Sequence, residues 1–373
     1  MPFCIFMDAL SLSYAYNLNL GSNVQIAGLQ PDVGYSSNLH WQLFCNMYPD
    51  EIGFFTDWSR KPEPDRAIRT AAGLLKFLDG VKYPALIAKR ILGTTFFKGR
   101  SGFANIPFRF RKDFRFDADY LFNDCDRLLQ NRQFMDYSMV IEKTDTADLG
   151  DVIGRFDNHL KNNEKKIFCA LSFPDYIGHK TGPGEEFNSR MKPLMKSIKD
   201  MIEGYVSRWP HEPILIVSDH GMSRVNEKID IGLEKAFGRQ GNSSYIAFRD
   251  SEIMRVYSGD KRLLAQIGGY LEGCSKGHLM TESERAHYGV TSRDFGDLIF
   301  NLHEGYSFRD NWYGKSLRPD NGKYGGGHGF WPGGLSDDGK AVLMLMNSDI
   351  RLDDEYDYKK AYPLISRIMG ELE

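Results

Sequence analysis

The stretch Pro213–Met222, PILIVSDHGM, decides the fold. Ile214 to Val217 run without a polar break and then give way to Asp219, His220 and Gly221. A short continuous apolar run closed by turn formers fits a strand buried on both faces, the kind found in parallel sheets covered by helices. Two other runs stop in the same manner: FCIFMD ends at Asp8, and KIFCALSFPD ends at Asp175. Open α/β sheets keep their sites outside the C-terminal ends of such strands.

Helical segments separate these strands. TADLGDVIGRFDNHLKNN and GEEFNSRMKPLMKSIKDMIEGYVSRW space apolar residues at three and four, the second with acids early and bases late. SMVIEKT and AVLMLMN read as further strands, and DKRLLAQIGGYLEG as a helix. The alternation predicts an α/β fold with a central, mostly parallel sheet flanked by helices. At 373 residues the chain is expected to form a single domain spanning 1–373, with insertions at about 55–124 and 222–323 capping one sheet edge. Neither region shows a repeat or a low-complexity linker.

A net charge of −3 gives no electrostatic reason to expect nucleic acid or an anionic membrane as a general partner, so any basic site must be local. Cys4, Cys45, Cys125, Cys169 and Cys274 are odd in number, scattered and without CxxC spacing. They indicate neither a disulfide framework nor a thiolate zinc site, and read as small buried hydrophobes in a reducing compartment. The start, MPFCIFMDAL, lacks a basic region and a long apolar core, and no apolar run approaches the roughly 20 residues that span a bilayer. The expectation is a cytoplasmic protein with no membrane or nucleic-acid partner.

Taken singly, the polar strand ends say little. Asp8 could be a cap, SDHGM only a turn, and His328 in GGGHGF a loop residue. Asp175 and His179, in PDYIGHKTGP, could share one helical turn or be two arms of a loop around Gly178. Together Asp8, Asp175, His179, Asp219, His220 and His328 make an oxygen and nitrogen donor set. It suits zinc first, with manganese or iron compatible, and is large enough for two ions.

The order of these motifs, an Asp closing the first strand, then PDxxGHxxGP, SDHGM and GxHG, resembles the alkaline phosphatase superfamily. Its nucleotide pyrophosphatase/phosphodiesterase branch is the nearest match. The resemblance implies an alkaline-phosphatase-like sheet, two divalent metal ions and a hydroxyl nucleophile. Asp175, His179 and His328 would hold one ion and Asp8, Asp219 and His220 the other, with the nucleophile also on the second. Matching NMYPDEIGF to the branch's TGLYPxxHGI places Ser36 at the nucleophile, with Ser37 as runner-up. Cys45-Asn46 and Ile52 depart from the usual Thr-Gly and His. Asn38 is a candidate phosphate contact by analogy with an asparagine of the branch. Gly178 and Gly182-Pro183 would shape a loop on which Asp175 and His179 converge.

The implied activity is hydrolysis of a phosphate ester through a phosphoseryl intermediate, on a small-molecule or nucleotide-linked substrate. A phosphonate hydrolase and a biosynthetic phosphotransferase are alternatives on the same scaffold, and an inactive binding protein is one of another class. No sulfatase Cys-x-Pro-x-Arg or Cys-x-Ala-x-Arg motif is present. FRFRKDFRF, Phe108–Phe116, has the period of a half-buried strand with a solvated basic face, although Arg109 and Arg111 could instead meet an anionic substrate. His40, His159, His211, His278, His287 and His303 fit none of the metal positions and read as structural or exposed; Trp312 and Trp331 could line a pocket or belong to the core.

Overall fold

The apolar runs become strands of one seven-stranded sheet. A computed structural model describes residues 2–18, 20–21, 23–92, 106–123, 134, 136–142, 149–241, 244–309, 312 and 325–370. The strands of the sheet, in chain order, are β1 (Phe3–Met7), β2 (Gln25–Gln30), β3 (Ser138–Ile141) and β4 (Ile167–Leu171). β5 (Ile214–Val217), β6 (Ala341–Met346) and β7 (Glu355–Asp357) complete it. They lie side by side as β7-β2-β6-β5-β1-β4-β3. All neighbours are parallel except β6, which runs against both β2 and β5.

Every residue of β1, β4, β5 and β6 is buried, as a two-sided strand demands. Successive side chains go to opposite faces. Phe3, Ile5, Met7, Ile214 and Ile216 share a core with α4 (Leu149–Lys161), α5 (Phe173–Thr181) and α6 (Glu185–Arg208). Cys4, Phe6, Leu215 and Val217 face α1 (Ser36–Cys45) and α7 (Tyr358–Met369) on the other side. The remaining labelled helices, α2 (Arg66–Leu75) and α3 (Lys82–Ile91), form a hairpin away from the sheet.

A second, four-stranded antiparallel sheet of Ile246–Asp250, Ile253–Tyr257, Gly277–Leu279 and Leu298–Leu302 falls within residues 222–323. The helix Lys261–Glu272 packs on it through Ile267 and Leu271. Among the described residues no helix is long and apolar enough to cross a membrane. Cys4 and Cys169 are buried free thiols, whereas Cys45 and Cys274 are partly exposed.

Two local readings are corrected. FRFRKDFRF is not a strand: Phe108–Arg111 is a helical turn, and only Arg115–Phe116 pairs, with Trp58–Ser59. The Asp79 carboxylate accepts the backbone amides of Phe108 and Arg109, which sets the turn after Pro107. Arg111 is buried and paired with Glu63 at 2.7 Å instead of facing solvent. Asp175 and His179 lie on α5, so the loop reading around Gly178 gives way to a helical turn. Gly178 remains helical because a Cβ there would stand 2.7 Å from Met222 Cγ, so close packing, not chain reversal, requires it.

Candidate active site

Sheet topology brings the polar strand ends together. β1 lies between β4 and β5, so Asp8, the start of α5 and Asp219-His220 leave adjacent strands at one edge. β2 runs in the direction of β1, and the chain after it opens α1 at the same edge with Ser36 as its first residue. Ala9 takes a left-handed conformation, φ 63°, immediately after Asp8. Such a φ is uncommon for a residue with a Cβ and tends to occur where a site constrains the chain. Gly221 turns the chain after His220 where a Cβ would lie 2.1 Å from Asp338 O.

The first group of donors is Asp8, Asp219 and His220, whose ligand atoms lie within 4.8 Å of one another. His220 Nε2 is 3.3 Å from Asp8 Oδ1 and 3.4 Å from Asp219 Oδ2. Ser36 Oγ stands 2.9 Å from the same nitrogen and 3.4 Å from Asp8 Oδ1. His220 Nδ1 donates to Gly221 O at 2.8 Å, and since a carbonyl only accepts, the Nε2 lone pair is turned toward the carboxylates. Ser37 is fully buried, and its hydroxyl has no hydrogen-bond partner among the described residues.

The second group is Asp175, His220 and His328. The rings of His220 and His328 stack at 3.7 Å, and His328 Nε2 is 3.6 Å from Asp175 Oδ1. His179 stands on the rim, its Nε2 3.2 Å from Asp175 Oδ1 and its Nδ1 held by Gly326 O at 3.1 Å. One turn of α5 thus places Asp175 and His179 side by side. All six expected donors meet at one edge, with His220 shared between the two groups.

The electrostatics call for added positive charge. Burial, followed by the nearby Asp219 and Asp175, pushes the Asp8 carboxyl well above the usual range. Burial pushes Asp175 the same way, but His179 and His328 outweigh it and hold the carboxyl low. Asp219 is likewise held low against burial, by His220 and His40. Burial and the neighbouring His220 drive His328 well below its ordinary value, so its imidazole is neutral and able to ligate. Asp175 Oδ1, Asp219 Oδ2 and His328 Nδ1 are buried without a hydrogen bond. Such orphaned oxygen and nitrogen donors converging on one place fit divalent cations.

The structure adds residues that the sequence reading set aside. His40 is buried, with its Nε2 3.1 Å from Asp219 Oδ2, the same oxygen that faces His220. Its signal was the i, i+4 spacing from Ser36 along α1. Glu142 Oε2 accepts the amides of Ser172 and Phe173 at 2.7 and 2.9 Å, capping the helix that carries Asp175. Glu252 reaches the site from the second sheet, and burial pushes its carboxyl up to about 8.

His40, Glu142 and Glu252 line a cavity of about 260 Å³ with Asp8, Ser36, Asp175, His179 and His328 and the apolar Phe6, Phe122, Ile141 and Leu171, while Asp219 and His220 lie behind that lining. Asn38 does not line it. Its side chain accepts from Tyr35 N and donates to Val33 O, so the amide braces the turn before Ser36 and is not offered to a phosphate. Arg109 and Arg111 are also absent from the lining. Trp312 packs with Phe110, Phe114 and Phe248, and Trp331 stacks on His278, both outside the cavity.

The sequence matches the profile of the type I phosphodiesterase/nucleotide pyrophosphatase family over residues 106–331, more than half of the chain. The chain belongs to that family. The matched range holds Asp175, His179, Asp219, His220 and His328, while Asp8 and Ser36 precede it and reach the site through β1 and β2. Murine ectonucleotide pyrophosphatase/phosphodiesterase 5 superposes with a TM-score of 0.63 at 12% identity, over 99% of this chain and 95% of that one. An inactive variant of the murine protein, in complex with AMP, gives 0.63 at 11% identity over 99% and 94%. The human counterpart gives 0.59 at 12% identity over 99% and 95%. At these identities the likeness establishes the fold. No curated protein sequence matches the chain.

Proposed function

We propose that this chain is a two-metal-dependent phosphodiesterase or nucleotide pyrophosphatase that works through a phosphoseryl intermediate on Ser36. The observation that carries the reading is the Ser36 hydroxyl, at the first position of a ten-residue helix and within 2.9 Å of His220 Nε2. Asp8, Ser36, Asp219 and His220 would hold one cation, and Asp175, His179 and His328 the other, with zinc the best fit to mixed carboxylate and imidazole donors. Bound cations supply Lewis acidity and favour the serine alkoxide at neutral pH.

In the first step Ser36 Oγ forms a bond to phosphorus while the bond from phosphorus to the leaving oxygen breaks. A hydroxide from water then displaces Ser36 and releases the phosphate product. Ser36 opens α1, and the N-terminus of that helix would favour phosphoryl oxygens beside it. Among the described residues no Lys or Arg lines the cavity. That supports a diester, which carries one negative charge, over a dianionic monoester that needs a further cation. The AMP complex of the murine relative supports a nucleotide-linked substrate.

Ser36→Ala is expected to lower hydrolysis of bis-nitrophenyl phosphate by at least about a thousandfold. Bound metal, measured by mass spectrometry of the elements, should persist in that variant. Normal turnover in Ser36→Ala, or faster hydrolysis of nitrophenyl phosphate than of the diester by the wild-type protein, would overturn the reading.

A further inference from the structure

The most unusual surface lies far from the donor cluster in sequence and chemistry. Among the described residues eight large hydrophobic side chains are exposed, and three of those are tyrosines. The other five, Leu74, Phe77, Val81, Ile87 and Ile91, all fall on the hairpin of α2, the Lys76–Gly80 turn and α3. Each is more than half exposed, Phe77 at 72%.

The hairpin is already anchored by its other face. Ala72 and Ala85 pack on Phe108, with Leu75, Leu78, Ala88 and Leu92 around them. Its apolar residues therefore exceed what its attachment uses. Soluble chains scatter single apolar residues over their surface, whereas five exposed ones within 18 consecutive positions point to an interaction site.

Charge selects the partner. Residues 66–92 contain Arg66, Arg69, Lys76, Lys82, Lys89 and Arg90 against Asp79 alone, six minus one or +5, in a chain whose net charge is −3. Lys89 is turned inward over the Phe108 ring, which leaves +4 for the remainder. A second copy docking isologously would set two such net-positive segments against each other.

We propose that the α2–α3 hairpin binds an anionic lipid surface, its apolar side chains entering the headgroup region and its bases pairing with lipid phosphates. Apolar side chains beside basic ones are what a helix lying in the membrane interface needs, with burial and attraction to anionic lipid acting together. This departs from the expectation drawn from total charge, because the basic site is local. It does not depend on the phosphodiesterase reading.

The test is flotation of the full chain with vesicles of phosphatidylcholine alone and of phosphatidylcholine mixed with phosphatidylglycerol. The wild-type protein should float with the mixed vesicles, less so as salt rises, and remain behind with phosphatidylcholine. Phe77→Ser with Ile91→Ser, and separately Arg66→Glu with Lys76→Glu, should each weaken the association about tenfold or more. Both double variants should keep the wild-type circular dichroism spectrum and a Tm within a few degrees of the wild-type value, which shows that they fold. No flotation of the wild-type protein, flotation unchanged in both double variants, or a dimer that Phe77→Ser dissolves without any vesicle binding would each overturn the proposal.

Discussion

His40 lines the cavity and stands 3.1 Å from Asp219 Oδ2, with both ring nitrogens buried and without a hydrogen bond. A side chain in contact with a ligand carboxylate helps to fix its orientation, and partners of this kind commonly set metal affinity. His40→Ala is expected to weaken metal binding about 10- to 100-fold, read by competition with a coloured chelator. His211, exposed on a turn, is the control, and its alanine variant should bind metal as the wild-type protein does. Equal affinity in His40→Ala would show that His40 only fills space. At this scale the sequence displayed the donors but not their order in space. The six donors were legible because in the sequence each follows an apolar run or stands beside a glycine, whereas the contact of His40 with Asp219 joins residues 179 positions apart.

Three segments interlock at the level of elements: α5, the SDHGM turn and the Gly325–Gly327 stretch before His328. A Cβ on Gly325 would stand 1.8 Å from His179 O, and one on Gly326 would stand 2.4 Å from Met222 Sδ and 2.7 Å from Gly178 O. The glycines let the His328 loop lie directly on the helix that bears Asp175 and His179. Gly325→Ala must push that loop away, which moves His328 relative to Asp175. Its expected cost is about 2–3 kcal/mol of stability, seen as a lower Tm, with at least a tenfold loss in kcat. Gly154→Ala on α4, where a Cβ meets nothing within 4 Å, should leave activity unchanged and stability equal or slightly higher. Similar effects from the two substitutions would remove the interlock from the account. The same contacts explain a misread element. Gly178 and Gly182-Pro183 look like breakers in the sequence, but only Gly182, with φ 64°, ends the helix. The buried strands were easier to read, since an unbroken apolar run needs no knowledge of its partner.

For the molecule as a whole, the donors span Asp8 to His328, and no single segment holds more than two of them. A cation bound here ties β1, α5, the end of β5 and the His328 loop into one unit. The unfolded chain cannot reproduce that arrangement, so binding should stabilise the folded state by mass action. Chelation followed by removal of the chelator is expected to lower Tm, and zinc added at about a hundred times its dissociation constant to restore about 2.7 kcal/mol. The response should depend on which donor is missing. His328→Ala and Asp219→Asn remove buried donors and should lose most of the zinc-dependent rise in Tm. Ser36→Ala removes a neutral hydroxyl and should keep most of it while turnover is lost. If chelation and zinc leave Tm of the wild-type protein unchanged, the converging carboxylates and imidazoles are not a metal site. Stability and activity report on different atoms of the same edge, and their separation in Ser36→Ala shows that the hydroxyl matters more for turnover than for holding the cation.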